Sequence, residues 1–428
     1  MEDRTKAYFK LTNCIIFFSL ELIFCSISSI EITPSFSLNS YSFGVASKFK
    51  ISPNFFIYHK NNFFKTNYPF ERPVIYQKVR NKSTGVNEQS YLSINDDMEK
   101  INIWFGRRYL DSGPSVISGL FISPESPAVD NLSYQFKLSD KIKLQSNIIR
   151  LDSRKEILDD GDGLDRATYM YFNRWYYHHR VELKYTDFLT IGFKEAVVST
   201  GENRSIEWYY LLPLGPFHTE QLNQEARTDG LYDASNLSGI GNNDNGMVGL
   251  DLSLLLGKNK LYGEFCVDEF QLDKEDRKKM QDVFGFLIGF SSSKENIDWS
   301  IEYAYASPWL YLNRGKFSSP DVKGVSLGLR GPNLQSLSIK PQFSFKSYKI
   351  GLNTQLWVKG SQSLDTDWDA WQNKIDYFDF NDFEIEHRYQ AFILSEGKKR
   401  NYEFGFSYNW LYEGSMQIYC SATYQMQN

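Results

Sequence analysis

Arg174-Trp175-Tyr176-Tyr177-His178-His179-Arg180-Val181-Glu182-Leu183-Lys184 is the stretch whose reading decides the fold. Taken at every second residue, it separates into two unlike faces. Trp175, Tyr177, Val181 and Leu183, continued by Tyr185, form one; Arg174, Tyr176, His178, Arg180, Glu182 and Lys184 form the other. Neighbouring residues of a strand point to opposite sides. The stretch therefore predicts a strand with one apolar and one charged face. The same period recurs over roughly the last three hundred residues. Leu132, Tyr134, Phe136 and Leu138 alternate with polar residues, as do Val248, Leu250, Leu252, Leu254 and Leu256. Trp299, Ile301, Tyr303 and Tyr305 do the same, and so do Tyr402, Phe404, Phe406, Tyr408 and Trp410.

A soluble sandwich also alternates, so the choice rests on two further features. The apolar faces begin or end in Tyr, Trp or Phe, which are girdle positions of a membrane barrel. Connections also alternate in length. Short turns stand at Ser139-Asp140-Lys141, Thr186-Asp187-Phe188, Gly257-Lys258-Asn259 and Lys346-Ser347, and long polar stretches at 152–167, 200–247, 269–282, 307–334 and 360–384. Composition agrees. The 428 residues hold 28 Tyr, 33 Phe and 9 Trp. Mean hydropathy is −0.44, and no apolar run beyond the N-terminus is long enough for a spanning helix. The expected fold is all-β: a closed antiparallel transmembrane barrel with an even total of roughly 16–18 strands. About thirteen of these are counted from Leu132 onward. The stretch 200–247 is long enough to fold inward as a plug.

Residues 1–30 have the build of an export signal: Arg4, Lys6 and Lys10, then an apolar run from Cys14 to Ile27, then small residues at Ser26-Ile27-Ser28. Residues 31–90 are less regular, either early strands or a periplasmic or plug element, and 91–428 form the barrel. Cys266 and Cys420 fall on opposite faces of their strands, which excludes disulfide geometry and leaves two free thiols. The net charge of −5 offers no basic footprint for nucleic acid.

The charged face of 168–186 has two readings: a binding track for acidic sugars, or a salt-bridged lumen that braces the barrel. His178 and His179 diverge on a strand and cannot share a metal. Asp160-Gly161-Asp162-Gly163-Leu164-Asp165 lacks the ligand spacing of a calcium loop and reads as a solvated turn. Glu195 with Glu202, and Asp268 with Glu269, are the carboxylate pairs a glycosidase would need, but adjacent strand residues diverge. Neither catalytic residues nor a cofactor or metal are expected.

An ordered set of short motifs adds to this. It runs Gly106-Arg107-Arg108-Tyr109, Ser112-Gly113-Pro114, Gly119-Leu120-Phe121-Ile122-Ser123, Asp130-Asn131-Leu132, then Tyr177 to Glu182 and Ile191 to Val197. It continues through Gly201-Glu202-Asn203-Arg204, Glu207 to Leu214, Asn243-Asp244-Asn245, Leu261-Tyr262-Gly263-Glu264, Asp268-Glu269-Phe270-Gln271, Glu302-Tyr303, Ser307-Pro308-Trp309 and Gly331-Pro332-Asn333. Over roughly residues 95–340 the chain resembles the Wzi-like capsule-assembly family of bacterial outer-membrane proteins. The resemblance implies a closed barrel that binds exported capsular or extracellular polysaccharide and anchors it outside the cell. Outer-membrane lipid and the polysaccharide export machinery are the other implied partners. Arg174, Arg180, Glu195, Glu202, Arg204, Trp208, Tyr209 and Tyr210 are the candidate contacts, with Arg for acidic groups and aromatic rings for sugar faces. The alternative is a porin or uptake channel on a similar barrel.

Overall fold

The computed structural model describes residues 26–37, 40–52, 54–65, 77–78, 84–96, 100–159, 168–202, 204–211, 244–269, 282–312, 317–366, 383–396, 400–409 and 415–427. Strands dominate: β1 (Ser26–Ser37), β2 (Ser40–Ser52), β3 (Phe55–Lys65), β4 (Thr84–Asn95), β5 (Ile101–Arg108), β6 (Val129–Lys137), β7 (Ile142–Arg150), β8 (Thr168–Lys184) and β9 (Leu189–Glu202). The series continues with β10 (Asn245–Leu256), β11 (Asn259–Glu269), β12 (Val283–Lys294), β13 (Ile297–Ala306), β14 (Leu334–Phe345), β15 (Tyr348–Lys359), β16 (Glu384–Glu396), β17 (Arg400–Asn409) and β18 (Ser415–Gln427). Each pairs antiparallel with the next, and β18 pairs with β1. The sheet has 20 strands. Two of them, Gln77–Lys78 and Arg154–Asp159, only extend a neighbour's edge. Among the described residues the ring therefore closes with eighteen staves, thirteen of them from Leu132 onward. Closure leaves no edge strand. Strands β1 to β4 account for most of 31–90, and β1 begins at Ser26, inside the stretch read as a signal; residues 1–25 lie outside the described residues.

Side-chain burial is inverted relative to a soluble protein. On β10, Leu250 and Leu252 are 49% and 51% exposed, while Asp251 between them is 1% exposed. The apolar face looks out and the charged face looks in. A water-soluble fold would lose about 25 cal/mol for each Å² of apolar surface left in water, so this belt is a lipid-facing surface. Exposed Tyr185, Phe188, Phe345 and Tyr348 sit beside the short turns, at the belt's rim. Those turns are locally encoded. The Ser139 hydroxyl accepts the Ile142 amide at 3.1 Å, and the Thr186 hydroxyl accepts the Leu189 amide at 2.9 Å, side-chain turns typical of these residues.

The core lies inside the ring. Two of the longer connections, 109–128 and the described residues 307–312 and 317–333, fold into the lumen. Leu120, Phe121, Ile122, Trp309, Leu310 and Tyr311 are buried against inward residues such as Tyr176, Ala196 and Met247. Gly249 of β10 makes the approach feasible: a Cβ there would stand 2.7 Å from the Phe121 ring. An inward-folding loop is thus present at 109–128, while most of 200–247, where one was expected, lies outside the described residues. Of 200–247, the described residues 204–211 pack on the outer face, and 212–243 lie outside the described residues.

Candidate functional site

The lumen is built around carboxylates that face strand-borne cations and the backbone of loop 109–128. Asp251 on β10 takes a bidentate fork from Arg180 on β8, with Nε and Nη2 each at 2.8 Å. Lys194 on β9 lies 3.3 Å from Asp251 and 3.2 Å from Glu264 of β11, and donates to the Ser112 carbonyl at 3.0 Å. All of these groups are buried. Gly113 fits between them with φ of 106°; a Cβ there would meet Lys194 Nζ at 2.4 Å and Glu264 Oε1 at 2.6 Å. Only glycine adopts that backbone and leaves that space.

Glu302 of β13 holds the tip of the same loop. Its carboxylate accepts the consecutive amides of Val116, Ile117 and Ser118 at 2.7, 2.8 and 2.7 Å, and the Tyr262 hydroxyl at 2.7 Å. Successive amides turned toward one anion form a backbone nest. Glu264 accepts Ser115 Oγ at 2.7 Å and the Leu120 amide at 3.1 Å. His178 meets Ser112 Oγ at 3.0 Å with Nε2 and Asn147 at 3.2 Å with Nδ1. A buried carboxylate is costly unless its lone pairs are satisfied; here they are satisfied by the loop, so the charges fix the loop's position.

The second loop is held by Arg174. It donates to Asp321 at 2.7 Å, to the Phe317 carbonyl at 2.7 Å and to Asp152 at 3.2 Å. Arg154 reaches the other Asp321 oxygen. Burial works to raise the Asp321 carboxyl, but Arg174 and Arg154 outweigh it and hold the group below its usual value. The two loops join each other where the Ser123 amide donates to the Leu327 carbonyl at 2.7 Å and the Tyr311 hydroxyl donates to the Leu120 carbonyl at 2.7 Å.

Arg204, Trp208, Tyr209 and Tyr210 belong to a segment outside the ring. Trp208–Leu211 is a short 3-10 turn on the outer face. Tyr210 packs on Tyr177 of β8, ring centroids 5.1 Å apart, and joins Ile148 and Val197 in a small cluster. Arg204 forms a fork on Asp244, which also accepts the Tyr210 hydroxyl at 2.8 Å. Burial pushes the Asp244 carboxyl up, against the pull of Arg204.

The eight residues expected to act together are therefore divided among several places. Arg174 and Arg180 share the inner face of β8, buried and ion-paired. Glu195 is on the outer face of β9, paired in register with His179. Glu202 is exposed at the end of β9, on the face opposite to Glu195. Arg204 and Tyr210 are buried in the outer segment, while Trp208 is 82% exposed and Tyr209 is exposed. Lys194, Asp251, Glu264 and Glu302 carry the lumen network without having been among the candidate contacts, although Lys194, Glu264 and Glu302 fall within the quoted motifs. Their available signal was a charge at inward parity on a strand whose other face is apolar. Cys266 is on the inner face, buried and unbridged. The side chain of Cys420, and the Asp160–Asp165 loop, lie outside the described residues.

No protein-family model matches the chain, and no curated protein matches it in sequence. Solved structures do match in fold. One is Escherichia coli Wzi, described as an outer-membrane protein involved in group 1 capsule assembly and a carbohydrate-binding β-barrel. It is 11% identical with a TM-score of 0.57, over 94% of this chain and 85% of that one. OccK5 (OpdH) and OpdK of Pseudomonas aeruginosa match at TM-scores of 0.45 and 0.47. Each is 9% identical; the matches cover 94% and 93% of this chain and 97% of theirs. With this fold, and with an apolar belt around a closed antiparallel ring, the chain is a bacterial outer-membrane β-barrel.

Proposed function

We propose that the barrel binds exported polysaccharide and holds it at the cell surface, without catalysis. The observation that carries this reading is the loop network. Loop 109–128 is fixed by Glu302, Glu264, Lys194 and His178, so the charges of β8 to β13 face the protein's own loops rather than a water-filled path. That arrangement supports a binding body over a conduit. The ordered motifs shared with the Wzi-like family fall largely on this network: Ser112-Gly113-Pro114, Gly119 to Ser123, Glu264, Glu302 and Ser307-Pro308-Trp309.

In this reading, Arg174, Arg180 and Arg204 set the positions of loops, Glu195 and Tyr210 belong to the outer wall, and Glu202, Trp208 and Tyr209 offer surface to the glycan. The polysaccharide export machinery is the partner that would deliver the chain. The test is the ratio of cell-bound to shed polysaccharide in a strain lacking the gene. A fall in the bound fraction at constant total, restored by the wild-type gene, is the expected result. An unchanged ratio, together with ion conductance of the purified barrel in a planar bilayer, would move the assignment to an uptake channel.

A further inference from the structure

Two adjacent arginines end β5 and have different surroundings. Arg107 points outward and makes a fork on Asp130 of β6, Nε and Nη2 each at 2.8 Å. Arg108 points into the lumen. Among the described residues no carboxylate lies within the 4.0 Å of an ion pair; Asp111 acts on it from beyond that distance, and its buried Nε has no hydrogen-bond partner. Its guanidinium lies instead over the Trp104 ring, 4.4 Å from the centroid. Gly106 stands between the two on the same face, with φ of 124° and no side chain to keep them apart. Tyr91 of β4 is paired in register with Gly106. It packs against Tyr58 at 5.2 Å and Phe56 at 6.4 Å, both from β3. Trp104, Arg108 and these rings are only partly buried, unlike the paired cations beneath the loops.

A buried donor left without an acceptor costs about 1–3 kcal/mol, and a structure keeps such a group where something else completes it. The guanidinium is planar, always charged and matched to a two-oxygen acid. Its position over the Trp104 ring steadies it and leaves its terminal nitrogens to a ligand, and the neighbouring aromatic rings offer apolar faces of the size of a sugar ring. We propose that Trp104, Arg108 and Tyr91 form a lumenal subsite for one carboxylate-bearing sugar residue. Its acid would lie on the edge of Arg108 and its ring against Tyr91. This rests on the polysaccharide reading above and adds the charge class of the glycan.

The experiment titrates the purified full-length barrel, folded in detergent, with oligogalacturonate, with a maltooligosaccharide of equal length, and with inorganic phosphate as competitor. Oligogalacturonate binds and the neutral chain does not; Arg108→Gln weakens binding about tenfold; Arg107→Gln leaves it unchanged. Tyr91→Leu provides a second loss that keeps Arg108 in place, and heat-shifted gel migration verifies that each variant is folded. Equal affinity for the neutral chain, an unaltered Arg108→Gln titration, or displacement by phosphate as effective as by the sugar acid would overturn the subsite. Glycan retention that persists on cells carrying a non-binding Arg108→Gln barrel overturns the subsite but not the anchoring. Binding through Arg108 by a barrel whose deletion leaves retention unchanged does the reverse.

Discussion

Arg180 and Arg108 both point into the same lumen from neighbouring regions of one sheet, yet their surroundings differ in kind. Arg180 faces Asp251 through two 2.8 Å bonds beneath a loop that seals it in. Arg108 faces an indole ring at 4.4 Å, and among the described residues no acid reaches ion-pair distance, Asp111 acting on it only from farther off. A charge type at inward parity thus says little about function until its partner is known. The wall from β8 to β13 uses its charges to hold loops, and the wall at β4 and β5 presents one that makes no ion pair among the described residues. The Arg108 titration is the direct test of that division.

The largest effect is expected at Glu302. Glu302→Ala leaves three amides and the Tyr262 hydroxyl without their acceptor. Hydrogen bonds to a charged group contribute about 1.5–3 kcal/mol each, and coupled losses do not add fully. A destabilisation on the order of 3–5 kcal/mol, concentrated in loop 109–128, follows. Hydrogen–deuterium exchange should show residues 115–120 losing protection while the strands keep theirs. Unchanged protection there would mean that the loop is held by apolar packing alone.

Gly249→Ala tests the packing share of the same contact. Its Cβ would meet the Phe121 ring at 2.7 Å and the Phe265 carbonyl at 2.3 Å, neither of which can move freely. Overpacking of this kind costs about 1–3 kcal/mol, read as a lowered urea midpoint of the detergent-folded barrel. A midpoint equal to wild type would show that loop 109–128 sits loosely on β10.

These two positions also show what was legible beforehand. Period-2 alternation, the short turns and the thirteen strands after Leu132 are local features, and each residue carries its own part of that signal. The region 31–90 was not legible because its strands break the period. Register shifts fall between Lys50 and Ser52 and between Lys60 and Asn61, and a bulge moves the following residues to the other face. The loops were hidden for a different reason. Length alone marked 200–247 as a plug, whereas the position of 109–128 is set by Glu264 and Glu302, more than 140 residues away along the chain. No local pattern encodes such a pair. Arg174 and Arg180 were found by parity, but not their partners.

Acid should loosen the second loop before the first contact with denaturant. The Asp321 carboxyl is held below its usual value of 3.8, so it binds protons more readily in the unfolded chain. Its contribution is therefore present above that value and is lost as pH falls through the lower, folded one. Limited proteolysis by an acid-active protease should cut within 307–333 increasingly as pH is lowered through that range. Asp321→Asn should be cut already at neutral pH and show little further change. A wild-type pattern that is flat with pH would remove Asp321 from the loop's anchorage.

The smallest effects belong to the outer segment, where two adjacent aromatics repeat the comparison on the other side of the wall. Tyr210 is fully buried and donates to Asp244 at 2.8 Å; Tyr210→Phe should cost about 1 kcal/mol or somewhat more, because the acceptor is charged. Trp208 is 82% exposed, and Trp208→Ala should change stability by no more than about 0.5 kcal/mol. Urea midpoints of the two variants, measured in the same detergent, set the scale. If Trp208→Ala is as damaging as Tyr210→Phe, the indole is a structural contact like its neighbour. If stability holds while the cell-bound share of polysaccharide falls, Trp208 is surface that the fold itself does not use, and the outer segment carries an exposed ligand contact of the kind that Arg108 presents inside.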